Sequence, residues 1–134
     1  MGDYLSPNFD KVPGEISTLA LAHVGDAVFE LMVRTYLCTT GTLTAKKLHS
    51  GTVAMVSAKA QAEAVEHILP SLTEDELAVY KRGRNTHTSQ TPKGCTLRQY
   101  INATGLESLF GYLYISGNAK RLNILFETII SKLE

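Results

Sequence analysis

The sequence predicts an all-α, single-domain protein. Three observations carry that expectation. Apolar residues between Leu19 and Leu37 recur at spacings of three and four, the period of a buried helix face. Helix-start and helix-stop residues punctuate the chain, among them Thr44, Pro70, the Thr73–Glu76 pair and Gly117-Asn118. No stretch alternates polar and apolar residues for long enough to form a strand, and there is no internal repeat or low-complexity segment.

Residues 1–14, with Pro7, Pro13 and Gly14, are expected to form an irregular leader on the surface, and residues 15–134 the domain itself. The first long helix spans about Ser17 to Thr39, with Gly41 as its stop. Thr44 caps a short helix that ends at Gly51. A longer helix follows from about Thr52 to Leu69, with Val53, Val56, Ala60, Ala64 and Ile68 as its core face, and Pro70 ends it. Thr73 and Glu76 make a capping box that opens a helix through ELAVYKRGRN. Polar and helix-breaking residues then fill Asn85 to Thr96, the one long candidate loop inside the domain. A helix from about Leu97 to Ser116 is broken by Gly117-Asn118, and a last amphipathic helix runs from Ala119 to Leu133.

The chain of 134 residues fits one domain, and a 44% hydrophobic content is enough for one core. The formal net charge is zero, so a nucleic-acid reading has to rest on where the charges sit. Cys38 and Cys95 match neither a metal spacing nor a disulfide framework, which points to a reducing, cytoplasmic setting. No run is apolar enough to span a membrane, and the N-terminus has no secretory pattern. A loose myristoylation pattern from Gly2 to Ser6 is too short to carry weight. A sequon at Asn102 falls inside a predicted helix and is set aside.

Asp26 stands in the middle of the first helix, on a face formed by Leu21, Val24, Ala27, Val28, Leu31 and Met32. Gly25 precedes it. A glycine inside a helix costs about 1 kcal/mol relative to alanine, so another backbone is expected to come close there. His23, Asp26 and Glu30 point to nearly the same side, and Glu30 has Arg34 at i+4 as a surface partner. Asp26 reads either as a functional acid or as an exposed or capping residue. The second acid of this kind is Glu107, inside an apolar helix between Gly105 and Gly111. It reads either as the partner of a basic residue across a helix interface or as the companion of Asp26. Two converging carboxylates suit Mg²⁺, which prefers hard oxygens and keeps several waters.

From Leu77 to Leu106 there is no Asp or Glu, while Lys81, Arg82, Arg84, Lys93 and Arg98 fall in that stretch together with His87. Cations at a helix C-terminus interact favourably with the dipole, which explains some of them but not the lack of acids. Arg forks and Lys ammoniums suit phosphate, and the Ser, Thr, Asn and Gln residues of the loop suit phosphate and sugar. The loop has no aromatic residue for stacking on unpaired bases, which favours a duplex held by shape and backbone. A divalent ion beside a basic duplex groove points to phosphodiester hydrolysis.

HVGDAVFEL resembles the signature of the ribonuclease III catalytic domain, and LESLFGYLY its second acidic motif. ALAHVGDAVFE, VSAKAQAE, KRGRN and TPK resemble the short branch of that family, Mini-ribonuclease III, which has no double-stranded-RNA-binding domain. The resemblance covers about residues 16–130. It implies a helical endonuclease fold, with Asp26 and Glu107 as the catalytic, metal-binding acids. It also implies Mg²⁺ as the cofactor, with Mn²⁺ as an alternative. Lys81, Arg82, Arg84, Asn85 and Lys93 fall in the segment that the branch uses to hold RNA. Two further acids of the wider family are replaced by Ala22 and Thr104, as they are in the short branch, which implies a weakly held metal.

The implied activity is cleavage of double-stranded RNA to 5′-phosphate and 3′-hydroxyl ends by a homodimer, one strand per site. The branch's usual substrate is the 23S ribosomal RNA precursor, and a ribosomal protein is a candidate partner in presenting it. The two missing acids leave a second reading open, a non-catalytic module that binds structured RNA. A third, a helical adaptor for a protein partner, leaves the acid-free stretch and the two acids unexplained.

Overall fold

A computed structural model describes residues 3–9, 15–41, 44–86 and 91–133. The expected leader residues Pro13 and Gly14, and His87 in the candidate loop, lie outside the described residues. Among the described residues six α-helices follow one another and no strand occurs. They are α1 (Thr18–Thr39), α2 (Ala45–Val56), α3 (Ala58–Ile68), α4 (Glu74–Asn85), α5 (Leu97–Ile115) and α6 (Ala119–Ser131), with a 3₁₀ turn, Leu69–Ser71, before α4. Among the described residues no helix is long and apolar enough to cross a membrane.

The helices start where short polar side chains can take up free backbone N–H groups. Ser17, Thr44 and Ser57 accept from the third residue on, at α1, α2 and α3. Thr73 with Glu76, and Thr96 with Gln99, form reciprocal capping boxes at α4 and α5. Asn118 caps α6. Gly117, at φ +76°, turns the chain between α5 and α6, and its left-handed backbone lets Asn118 N donate to the Leu113 carbonyl at 2.9 Å.

The break between α2 and α3 differs from expectation. It falls at Ser57, not at Gly51. Ser57 is extended and serves both helices, closing α2 through its N–H to Val53 and opening α3 through its side chain. Gly51 stays helical and faces the Leu37 side chain, and the Thr52 hydroxyl beside it donates to the Leu48 carbonyl. The break resets the helical phase. Val53 is therefore exposed, Val56 and Ala60 are only half-buried, and Gln61, Ala62, Ala64, Val65 and Ile68 form the core face of α3.

The face of α1 is also turned from expectation. Leu21 and Val28 are buried, but with Ala22, Gly25, Phe29 and Val33. Ala27 is exposed and Leu31 is 59% exposed. Phe29 lies edge-on to Phe110 and Phe126, with ring centroids 5.4 and 6.0 Å away, and these rings knit α1, α5 and α6 into one core. α5 is the central helix and touches α1, α3, α4 and α6.

Two polar ties complete the frame. Arg121 of α6 donates to both oxygens of the buried Glu76 carboxylate (2.8 and 2.9 Å) and to the Ser71 carbonyl (2.7 Å). Burial pushes the Glu76 carboxyl up, but the Arg121 hydrogen bonds, the Thr73 backbone and the Arg121 charge outweigh it and hold it below its ordinary range. Residues 3–9 are irregular and docked on the end of α5: Phe9 N–H donates to the Ile115 carbonyl (3.2 Å), and the Tyr114 hydroxyl donates to the Tyr4 carbonyl.

The closest approach of two helices is at Gly25. A Cβ there would stand 1.6 Å from the Glu107 carbonyl oxygen, and one at Gly111 would stand 1.9 Å from that of Leu21. The expected close backbone contact is thus between α1 and α5. Gly25→Ala should cost more than about 3 kcal/mol in denaturant unfolding, at the upper end of overpacking penalties, because backbone atoms cannot rotate away. Gly41→Ala, with nothing within 4 Å, should change stability by less than about 0.5 kcal/mol.

Candidate active site

The crossing of α1 and α5 brings the two acids together. With Gly25 pressed on the Glu107 backbone, the next residue of α1 emerges beside the Glu107 side chain. Asp26 acts on Glu107 both through its charge and by hydrogen bond. Asp26 is exposed and Glu107 is half-buried at the floor. Burial first, then the Asp26 carboxylate, push the Glu107 carboxyl up to about 8, while a hydrogen bond from Gln61 works the other way. The Gln61 Nε2 donates to Glu107 Oε2 at 3.4 Å and to the Val56 carbonyl at 3.0 Å.

The basic edge lies against the same helix. α4 crosses α5 where Gly83 and Gly105 leave room: a Cβ at Gly83 would meet Ser108 Oγ at 2.4 Å, and one at Gly105 the Tyr80 ring at 2.7 Å. Ser108 directly follows Glu107, so the end of α4 is anchored next to the acid pair. Lys81, Arg82 and Asn85 are exposed there, and Arg84 is half-buried. The Arg84 guanidinium lies over the Tyr80 ring, 5.7 Å from its centre. The Tyr80 hydroxyl in turn donates to Asn102 Oδ1 at 3.3 Å. Lys93 is exposed in the turn before α5.

Asp26 also lines an open groove of about 650 Å³ along α1, together with His23, Ala27, Leu31 and Tyr114 among others. His23 is exposed. Glu30 pairs with Arg34 at 2.9 Å, the expected i+4 contact on the helix surface.

A family model of the ribonuclease III domain matches residues 19–118. The chain belongs to the ribonuclease III family. A Mini-ribonuclease 3 from Thermoanaerobacter sp. is 42% identical over 119 residues, covering 89% of this chain and 84% of the relative. One from Symbiobacterium thermophilum is 38% identical over 122 residues, covering 91% and 94%. The crystal structure of a Fusobacterium nucleatum protein superposes with a TM-score of 0.82 at 28% identity, covering 94% of this chain and all of that one. The ribonuclease III family, and the Mini-ribonuclease III branch within it, are therefore the frame for the site. The protein is a double-strand-specific endoribonuclease, and its family works with a divalent metal.

The donor set fits such an ion. Among the described residues no group of three or more His, Cys, Asp or Glu side chains could hold a metal, so Asp26 and Glu107 stand as a pair. Ala22 and Thr104, where the wider ribonuclease III family has further acids, are buried in helix packing and bring no oxygen to the pair beyond a hydroxyl that is already bonded to Tyr100. Two carboxylates with water and phosphate completing the shell is a common arrangement for Mg²⁺. A divalent cation would offset both the burial and the Asp26 charge that push the Glu107 carboxyl up.

The sequence singled out Asp26, Glu107 and the basic end of α4, and it did not single out Gln61, which the fold places against Glu107. The signal for it was weak: one amide in an Ala-rich helix, whose inward phase depends on the break at Ser57.

Glu107 fixes the sign of a pH effect. In the unfolded chain its pKa is near 4.5 and in the folded chain about 8, so between these values the folded protein keeps a proton that the unfolded chain has released. Folding stability therefore falls as pH rises through this window. The metal-free protein should melt at a lower temperature at pH 8 than at pH 5.5. Asp26→Asn, which removes one of the two upward pushes, should make that difference smaller.

Proposed function

We propose that this protein is a Mg²⁺-dependent endoribonuclease, with Mn²⁺ as a substitute, that matures the ends of 23S ribosomal RNA precursor in the cytoplasm. In this reading it works as a homodimer and leaves 5′-phosphate and 3′-hydroxyl ends. Asp26 and Glu107 are the metal ligands and catalytic acids, and Lys81, Arg82, Arg84, Asn85 and Lys93 hold the RNA. A ribosomal protein that presents the substrate is compatible with it. The observation that carries the reading is the meeting of Asp26 and Glu107 beside a basic helix end.

The residues divide the work. Asp26 and Glu107 would hold the ion, which when bound would supply Lewis-acid activation of water and charge stabilisation at the scissile phosphate. Arg84 holds a phosphate with a guanidinium already stacked on Tyr80, so less freedom is lost on binding than for a free side chain. Lys81 and Arg82 lie exposed on the same helix end and add charge along the RNA backbone. Asn85 supplies a neutral donor to phosphate or ribose.

The homodimer draws support from α1. Leu31 is exposed and lies between two grooves of about 650 and 520 Å³. An apolar residue in that position suits a contact between two copies, and two copies related by a twofold axis suit an antiparallel duplex. Phe110 is fully buried within the chain and offers no surface for such a contact.

Asp26→Asn should melt cooperatively like the parent protein and lose cleavage of duplex RNA by at least about 10³-fold with Mg²⁺ present. Cleavage equal to the parent's would remove Asp26 from the chemistry. Chelator should stop the parent enzyme, whereas an RNA-holding module without catalysis would cut in neither condition. Arg84→Ala should weaken duplex binding at every sequence and reduce the slope of log affinity against log salt by about one. Titration of binding over a range of salt measures this.

A further inference from the structure

Gln61 lies on α3 beneath the acid pair and is 2% exposed. Its buried neighbours on that helix, Ala62, Ala64, Val65 and Ile68, are apolar. Burying an amide among them is unfavourable unless its hydrogen bonds are made. They are made only in part: Nε2 donates to the Val56 carbonyl and to Glu107, while the buried Oε1 has no partner among the described residues. Folded proteins keep few such groups, and each one calls for an explanation.

Packing does not provide it, because an apolar side chain of similar volume would fill the space with no orphaned oxygen. Nε2 does satisfy the free Val56 carbonyl at the end of α2, but that takes only one of its two N–H groups. What remains is the second donor. The two N–H bonds of one amide are coplanar and diverge at a fixed angle. Once the Val56 carbonyl has taken one of them, the direction of the other is set, and it leads to Glu107 Oε2. The Asp26 charge acts against the ionised Glu107 carboxylate. A fixed donor on Oε2 holds that carboxylate against rotation.

We propose that Gln61 is a positioning residue of the metal site, an amide bracket between the end of α2 and Glu107 that keeps the Glu107 carboxylate facing Asp26. The proposal rests on the reading of Asp26 and Glu107 as metal ligands. Groups that hydrogen-bond a metal ligand commonly change metal affinity by about 10–100-fold when removed. The bond is long at 3.4 Å, so the lower figure is the expected one.

The test is Mn²⁺ binding to the RNA-free protein, followed by calorimetry, for the parent, Asp26→Asn and Gln61→Met. Methionine keeps the length of glutamine and removes both donors and the orphaned oxygen. Gln61→Met should bind Mn²⁺ about tenfold more weakly than the parent, and its melting temperature should be unchanged or higher. In cleavage assays at low Mg²⁺ its kcat should fall about tenfold and recover at about tenfold higher Mg²⁺, with KM for duplex RNA unchanged. A merely structural glutamine would move the melting temperature and leave Mn²⁺ affinity alone, and parental affinity in Gln61→Met overturns the proposal. If Gln61→Met does not melt cooperatively, the same titration of Gln61→Leu decides, with the same outcome overturning it. A parent that binds Mn²⁺ no better than Asp26→Asn would instead sink the metal-site reading, and this proposal with it.

Discussion

Everything at the site depends on two helices touching backbone to backbone. α1 and α5 approach so closely at Gly25 and Gly111 that no side-chain atom fits between them. Helices normally lie 8–10 Å apart because side chains separate them. With those removed, residues next to the contact are pushed into a common space at its rim. Asp26 and Glu107 occupy that rim. The cost is electrostatic, since the approach dries the floor of the site and pairs two groups of like charge. The rise of the Glu107 pKa to about 8 records that cost, and a divalent cation is the natural way to offset it.

α5 uses the same device twice. Gly111 admits α1 and Gly105 admits the ring of Tyr80 from α4. Acids and bases are thereby delivered to neighbouring parts of one helix by two different partners, and neither set has to neutralise the other. Arg84 rests on an aromatic ring and not on a carboxylate, so its charge stays available to an anion from outside. Arg121, by contrast, spends its fork on Glu76 inside the fold. One guanidinium is thus used up inside the fold, and the other is left open to solvent.

Much of this was legible in the sequence because its causes are local. Caps and breakers act over three or four residues, so Ser17, Thr44, Thr73 with Glu76, and Gly117-Asn118 placed helix ends within a residue or two. Gly25 was legible as a point of close approach, though not which backbone would come. The rotation of α1 was not legible, because apolar residues ring that helix and only the partner decides which of them are covered. Leu31 and Ala27 were read as core and are exposed. Gly51 was read as a break and is not, since a glycine can remain helical. Gln61 stayed hidden for a related reason. Its partner, Glu107, is 46 residues away, and periodicity says nothing about contacts at that range.

The shared Ser57 has a consequence of its own. α2 buries only Thr52 and hangs between a one-residue joint and the chain leading from α1. A segment with so little apolar cover opens at a free energy well below that of the whole domain. Its amide protons exchange with solvent early, ahead of those of α5, whose inner positions are sealed on several sides. The Val56 carbonyl on which Gln61 is anchored is the last of this helix, so opening of α2 reaches the floor beneath Asp26 and Glu107.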